Sequence, residues 1–489
     1  MNTKKEHLIA VVGAENVADD AQTLESYSCD ESFVAARKPW FVVRPKNAEE
    51  VIALVKWANE SQTPLVPVSS GPPHFHGDTV PSLPEAVIVD LSRMKAIRRI
   101  DTRNKMVLIE PGVTYAELDP ALAKAGLRIA RPLLPRQNKS VVGSLLERQP
   151  TLIPRLNHQL PEPLRTCGVV WGSGEMSFTG EAGIGPMSLE TQWESGKVQL
   201  DPKGPGASDL MRLLTGAQGS MGIVVWASVR CELAPSVHKY LFAPAEKLED
   251  LIDFCYKLER LRIGDEVLVL NRAQLAALLG PQPGDLPALR QELPNWVVIM
   301  GLSGAAYYPQ ERVEVQEKEV RKLGAEFGLS IVTGVPSLTH GRVASAVADC
   351  SDEPYWKLKL KGGCQDIFFL TTLDKAPKFV ETAFAVAAKA KYPVADIGVY
   401  IQPQHHGVSQ HVEFDLPYDP TNAKEVTTVK EAYAGISEAL IEQGGYFSRP
   451  YGAWASMVYS RDATATRVLR TVKGILDPKN VLNPGKLCF

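Results

Sequence analysis

Residues 39–73 read PWFVVRPKNAEEVIALVKWANESQTPLVPVSSGPP. Trp40–Val43 is an apolar run bounded by Pro39 and Pro45, the mark of a short strand. Ala48–Glu60 carries Val51, Ile52, Val55 and Ala58 at helical spacing, and Asn47 is placed to cap it. Leu65–Val68 is a second short strand that empties into Ser69-Ser70-Gly71-Pro72-Pro73. Strand, helix, strand and a glycine-bearing turn open an α/β or α+β unit. Outward from this stretch, Ala86–Leu91 and Met106–Glu110 read as strands, and Tyr115–Ala125 as a helix closed by Gly126. Pro132, Pro135, Pro150, Pro154, Pro161 and Pro163 then predict an irregular loop over 132–166, without helix or interior strand. Loops of that length inside a compact domain are often functional. Strands resume at Gly168–Trp171 and Ile223–Cys231.

From about residue 236 the texture changes. Leu248–Leu261, Val313–Phe327 and Lys378–Ala390 are amphipathic helices, and Trp296–Leu302, Asp366–Thr372 and His411–Leu416 are strands. This predicts a second, antiparallel α+β unit. Ala463–Leu476 is a final helix, stopped by Asp477-Pro478 and followed by Asn483-Pro484-Gly485-Lys486. The 489 residues suffice for two or three domains, and 45% hydrophobic with 22% charged residues is a globular balance. A net charge of −3 offers no basic field for nucleic acid. No apolar run approaches the ~20 residues of a membrane span. Leu8–Val12 is too short for a signal-peptide core, so a cytoplasmic site is expected. The seven cysteines are scattered without a C-x-x-C, which predicts buried thiols rather than a disulfide framework, iron–sulfur cluster or zinc ribbon.

Four stretches, in order, resemble the vanillyl-alcohol oxidase and p-cresol methylhydroxylase family of FAD-binding oxidoreductases, which includes glycolate oxidase and D-lactate dehydrogenase-like subunits. They are Arg44-Pro45-Lys46-Asn47 with Pro64-Leu65-Val66-Pro67; Val89-Asp90-Leu91-Ser92 with Glu110-Pro111-Gly112-Val113; Thr215-Gly216-Ala217-Gln218-Gly219-Ser220-Met221-Gly222-Ile223; and Leu476-Asp477-Pro478 with Leu482-Asn483-Pro484-Gly485-Lys486. The resemblance implies an α+β fold: residues 1–36 as an N-terminal segment, 37–235 as a two-subdomain FAD-binding unit, 236–445 as an antiparallel cap, and 446–489 returning to the FAD unit. It implies FAD as cofactor, held by Pro67, Ser69, Ser70, Gly71, Pro72, His74, Gly77, Pro111, Gly112, Ser140, Gly143, Ser144, Arg148, Gly219, Gly222, Ile223, Asn483 and Lys486. Backbone N–H groups at glycine-rich turns suit a pyrophosphate. Two departures stand out: Pro72 and Pro73 remove two such donors, and Asp78 adds a negative charge.

In that family the substrate lies over the flavin and passes a hydride to it. Arg449, in Ser448-Arg449-Pro450-Tyr451, falls where phenol-oxidising members hold the phenolate oxygen, and its fork of donors suits any anionic oxygen. The family's tyrosines there correspond to Ser448 and His76, so an alcohol or hydroxy acid fits as well as a phenol. Asn157-His158 matches an Asp-His pair beside the flavin; Asn157 can orient and His158 can accept a proton. On His411–Leu416 the alternation puts His411, Glu413 and Asp415 on one face and Val412, Phe414 and Leu416 on the other. That polar face reads either as a substrate cavity or as the solvated side of an edge strand. No metal is expected, because Gln404 and Pro450 replace two ligands of the related metal-dependent dehydrogenases. A small-molecule substrate, an electron-accepting partner subunit or carrier, and an oligomer are implied. A non-catalytic paralogue scaffolding an active subunit stays open as the alternative, on Pro72, Pro73, Asp78 and Asn157.

Overall fold

The structure is a computed structural model that describes residues 2–156, 162–179, 210–280 and 286–489. Three sheets carry the molecule. The first has four strands in the order Val17–Ala18, Phe41–Val43, Val87–Asp90, Leu65–Val68, with the last three parallel. The helix Ala48–Ser61 is the crossover between Phe41–Val43 and Leu65–Val68, the parallel strands that flank Val87–Asp90. Asn47 caps that helix by accepting from the Glu50 N–H, and Val51, Leu54, Val55, Trp57 and Ala58 bury its inner face. The helix Asn2–Val12, which the sequence reading did not assign, adds Leu8 and Val12 to the same core.

The second sheet is antiparallel, in the order Ile97–Asp101, Met106–Ile109, Gly222–Arg230, Leu164–Trp171, Met176–Phe178. Here one expectation is corrected. Residues 132–166 are not wholly irregular: Val141–Leu146 is a helix, and Leu164 already begins the strand that runs to Trp171. The prolines flank the helix without entering it, and Ser140 caps it by accepting from the Gly143 N–H. Pro163 sits one residue before the strand, where its missing N–H costs no ladder bond.

The third sheet has six antiparallel strands in the order Val237–Ala245, Trp296–Gly304, Glu266–Asn271, Gly398–Gln404, Ser409–Tyr418, Gly363–Thr371. Glu249–Arg260, Pro309–Glu326, Ala376–Lys389 and Ala423–Glu442 cover one face over a single apolar core. Val412, Phe414 and Leu416 point into that core, so His411, Glu413 and Asp415 face the other way. Ser409–Tyr418 has a neighbour on each side, so the edge-strand alternative fails, and all three polar residues are buried.

After the last helix of this unit the chain returns to the first sheet. Leu65 N–H donates to Val481 O, and Asn483 N–H donates to Leu65 O. The buried Asp477 fixes this return: it accepts from Lys473 Nζ and from the Val481 and Leu482 N–H groups.

Candidate active site

A cavity of about 150 Å³ lies between the 69–79 turn and the polar face of the six-stranded sheet. The register explains its inner wall. Directly opposite residues of an antiparallel pair share a face. Phe368 and Tyr400 both lie opposite Glu413, Asp366 lies opposite Asp415, and Gln402 opposite His411. Asp366, Phe368, Tyr400 and Glu413 therefore present their side chains together, and all four line the cavity.

Lys357, from the turn Trp356–Leu358, enters this acidic wall. Its Nζ donates to Glu413 at 2.5 Å, Asp415 at 3.0 Å and Asp366 at 3.2 Å. These three carboxylates have the spacing of a cation site, and the ammonium is the cation within it. Burial works against that charge, but Asp415, Glu413 and Asp366 hold Lys357 well above the ordinary lysine range. Burial likewise opposes ionisation of Asp366 and Glu413, and Lys357 outweighs it, so both carboxyls are drawn down. Asp415 goes the other way, pushed up to about 7, chiefly by burial, and donation from Gln274 Nε2 at 2.6 Å only moderates this.

Each lowered carboxylate faces a histidine. His76 Nε2 lies 3.4 Å from Asp366 Oδ1, a close charge contact without hydrogen-bond geometry. The His76 ring stacks on Tyr451, with centroids 4.6 Å apart. Burial disfavours its protonated form, yet the Asp366 carboxylate outweighs burial and the net shift is upward. His411 pairs with Glu413 Oε2 at 2.9 Å, but here burial prevails and the ring is biased to neutral. Only His76 of the two lines the cavity.

Arg449 is brought in by the bridge between Leu370 and Tyr446, which pins its segment to the sheet edge. It is 4% exposed, lines the cavity, and lies with Cζ 3.8 Å from the Phe368 ring centroid. Among the described residues its guanidinium makes no ion pair. The cavity's other cations divide in the same way. Lys357 is matched, and Lys139 Nζ sits on both Glu147 oxygens at 2.5 and 2.6 Å. Arg136, 5% exposed, has no carboxylate partner among the described residues; its Nη1 donates to Gly71 O at 3.0 Å and Asn138 Oδ1 at 3.1 Å.

A second cavity of about 100 Å³ shares Pro67, Val68, Ser69, Asp78 and Glu147 with the first and extends to the start of the strand Gly222–Arg230. Pro111, Gly143, Gly216, Gly219, Gly222 and Ile223 form its walls. These walls are close-set: a Cβ on Gly143 would stand 2.7 Å from Ser69 Oγ, and one on Gly219 2.4 Å from Pro67 Cγ. A glycine-walled cavity that adjoins, at Pro67, Val68 and Ser69, a second one lined by Arg136 and Arg449 fits a dinucleotide carrying a pyrophosphate.

Of the residues expected to touch cofactor or substrate, the structure gathers His76, Glu413, Arg449, Pro67, Ser69, Ser70, His74, Pro111, Gly143, Gly219, Gly222 and Ile223 around these two cavities. Others sit behind the walls. The Gly71 N–H is spent on Asn138 O and the Gly77 N–H on Asp30. Pro72 and Gly112 line neither cavity, and a Cβ on Gly112 would meet the Leu91, Met94 and Ser92 carbonyls. Ser140 Oγ donates to Pro111 O, Ser144 Oγ to Gln149 Oε1, and Arg148 Nη2 to Thr215 Oγ1. Asn483 donates to the carbonyls of Asp78 and Gln218, and Lys486 to those of Gly77 and Val80, so both brace the turn from outside. Asn157 and His158 lie outside the described residues. Lys357, Asp366 and Arg136 were missed. Asp366 opens a strand that the sequence marks, but the apolar run Ile367–Leu370 behind it has no alternation to assign its face, and nothing local marks the other two.

Residues 39–148 match the family described as FAD binding domain, and residues 371–487 match that described as FAD linked oxidases, C-terminal domain. The 4-cresol dehydrogenase [hydroxylating] flavoprotein subunit of Pseudomonas putida is 24% identical, over 98% of this chain and 93% of its own. A glycolate oxidase subunit of Bacillus subtilis is 22% identical, over 99% and 96%. The D-2-hydroxyglutarate dehydrogenase of Stutzerimonas stutzeri is 23% identical, over 99% and 98%. Among solved structures, p-cresol methylhydroxylase with substrate bound matches at a TM-score of 0.85 and 20% identity, over 100% of this chain and 96% of that one. The 4-ethylphenol oxidase from Gulosibacter chungangensis, as its isoeugenol complex, matches at 0.81 and 19%, over 99% and 96%.

Proposed function

The chain belongs to the FAD-linked oxidoreductases, and from that premise we propose that it dehydrogenates an alcohol, hydroxy acid or phenol whose anionic oxygen is held by Arg449. The observation that carries this reading is the unmatched Arg449 guanidinium, buried over Phe368 in the cavity that His76 and Asp366 also line. A buried cation without a counter-ion is costly, and a ligand oxyanion removes the cost. FAD, when bound, supplies the hydride acceptor.

The chain's own residues do the rest. Arg449 fixes the substrate oxygen through a planar fork. His76 takes the hydroxyl proton, because Asp366 stabilises the imidazolium that results. A neutral ring that turns Nε2 toward Asp366 keeps Nδ1 as the acceptor. Lys357 keeps Asp366 and Glu413 ionised and holds both in place. Phe75, Tyr355, Trp356, Phe368 and Tyr400 exclude water and favour a substrate with an aromatic ring.

The same proposal includes an electron-accepting partner, since two of the similar proteins are named as subunits. It also includes an oligomer and a cytoplasmic site; among the described residues no helix is long and apolar enough to cross a membrane. The test is anaerobic reduction of the purified protein's flavin band. A 4-hydroxybenzylic alcohol or 4-alkylphenol should bleach it faster than glycolate or lactate. A protein purified without flavin that takes up none from solution would end the reading.

A further inference from the structure

We propose that Arg136 is the cation that binds the cofactor's pyrophosphate, supplementing a turn in which Gly71, Pro72, Pro73 and Gly77 offer no free amide. The inference rests on the FAD reading and concerns a residue that reading does not use. Four of the eleven residues of the 69–79 turn offer no free amide to a ligand. Pro72 and Pro73 have none, the Gly71 N–H donates to Asn138 O, and the Gly77 N–H donates to Asp30. The turn is instead tied to the 136–140 segment. Arg136 Nη1 holds Gly71 O, Asn138 Nδ2 donates to Pro72 O at 2.8 Å, and Ser140 N–H donates to Ser70 Oγ at 3.0 Å. Those bonds place a guanidinium at the end of the cavity lined by Ser69, Ser70 and His74.

Arg136 has donors left over. Among the described residues only its Nη1 is hydrogen-bonded and no carboxylate pairs with it, and its Cζ lies 5.2 Å from the Phe75 ring centroid. His74, 7% exposed and lining the same end, has a buried Nε2 with no partner. The nearby Lys139 is not available, being neutralised by Glu147. The cavity thus holds two matched and two unmatched cations. Arg449 stands among Phe368, His76 and Asp366, at the substrate end. Arg136 stands at the turn, and a diphosphate is the anion such a position accepts, by a charge-assisted fork.

The experiment uses the full chain freed of flavin, titrated with FAD and riboflavin by flavin fluorescence and with ADP by competition. Arg136→Gln should weaken FAD and ADP by about tenfold or more, the loss of one or two charged hydrogen bonds, and leave riboflavin within twofold. Arg136→Lys, the milder variant should the glutamine form fail to fold, should weaken ADP by a smaller factor and spare riboflavin. Unchanged FAD and ADP affinities in either folded variant overturn the proposal, as does an equal loss for riboflavin. A raised substrate KM with flavin affinity intact would reassign Arg136 to substrate and overturn it too. A wild-type protein that binds no FAD would instead end the parent reading.

Discussion

In the proposed reaction Arg449 and His76 divide the chemistry by charge, and each can be tested alone. Arg449→Ala should lower kcat/KM by about 2–5 kcal/mol of transition-state binding with flavin content unchanged, and Arg449→Lys should recover little, since a point charge cannot reproduce the fork. Steady-state kinetics with a flavin assay decide it; near-wild-type kcat/KM in the alanine form removes Arg449 from the site. His76 must be neutral to accept a proton, and its pKa is raised above the ordinary histidine value, burial opposing and Asp366 prevailing. Activity should therefore rise with pH through that raised value. Asp366→Asn removes the anion that raises it, leaving Asp78 and Glu147 as weaker influences, so the limb should move to lower pH while the rate falls. A pH profile of kcat/KM that does not move would separate His76 from the proton step. Arg449, His76 and Glu413 were readable because motif position or strand alternation marks them. Lys357 was not: its role depends on which strands lie side by side, and no local pattern states that pairing.

The elements themselves were largely readable, since period and punctuation agree along most of the chain. Ala48–Ser61 and Ala463–Leu476 match the predicted helices within a residue, because Asn47 and Asp462 cap them and the apolar spacing is regular. The proline-dense stretch was misread because proline density was averaged over 132–166, whereas Val141–Leu146 occupies a proline-free interval with its own cap. The helix Ala463–Leu476 buries a lysine, and its reason lies at the helix end. Lys473 Nζ holds Asp477, Ser220 O and Leu482 O. Lys473→Met should leave the buried Asp477 carboxylate with only its two backbone donors and no counter-charge, and cost about 3–5 kcal/mol, read from urea unfolding. A cost under 1 kcal/mol would mean that water reaches Asp477. At Gly219, φ is +69° and a Cβ would meet Pro67, so Gly219→Ala should close the narrow channel and lower flavin retention per folded protein.

The whole molecule joins three sheets around two cavities, and the joint was visible only as the order of motifs. Composition and charge bounded the class, but the clustering of Lys357, Asp366 and Glu413 with Arg449 arises from pairing across the six-stranded sheet. The return of the chain to its first sheet has a further consequence, which concerns time rather than space. Lys486 and the turn carbonyl of Gly77 that it holds are 409 positions apart. A ribosome must therefore deliver the whole six-stranded sheet before the first sheet gains its neighbour at Leu65. Until then the turn lacks the braces from Asn483 and Lys486, and loop closure over such a distance is slow. In refolding from urea, flavin capture should lag the recovery of sheet signal in far-UV circular dichroism, and coincident phases would show that the turn forms without its tail. A growing chain thus spends most of its synthesis with the 69–79 turn unbraced and the cavity beside it open.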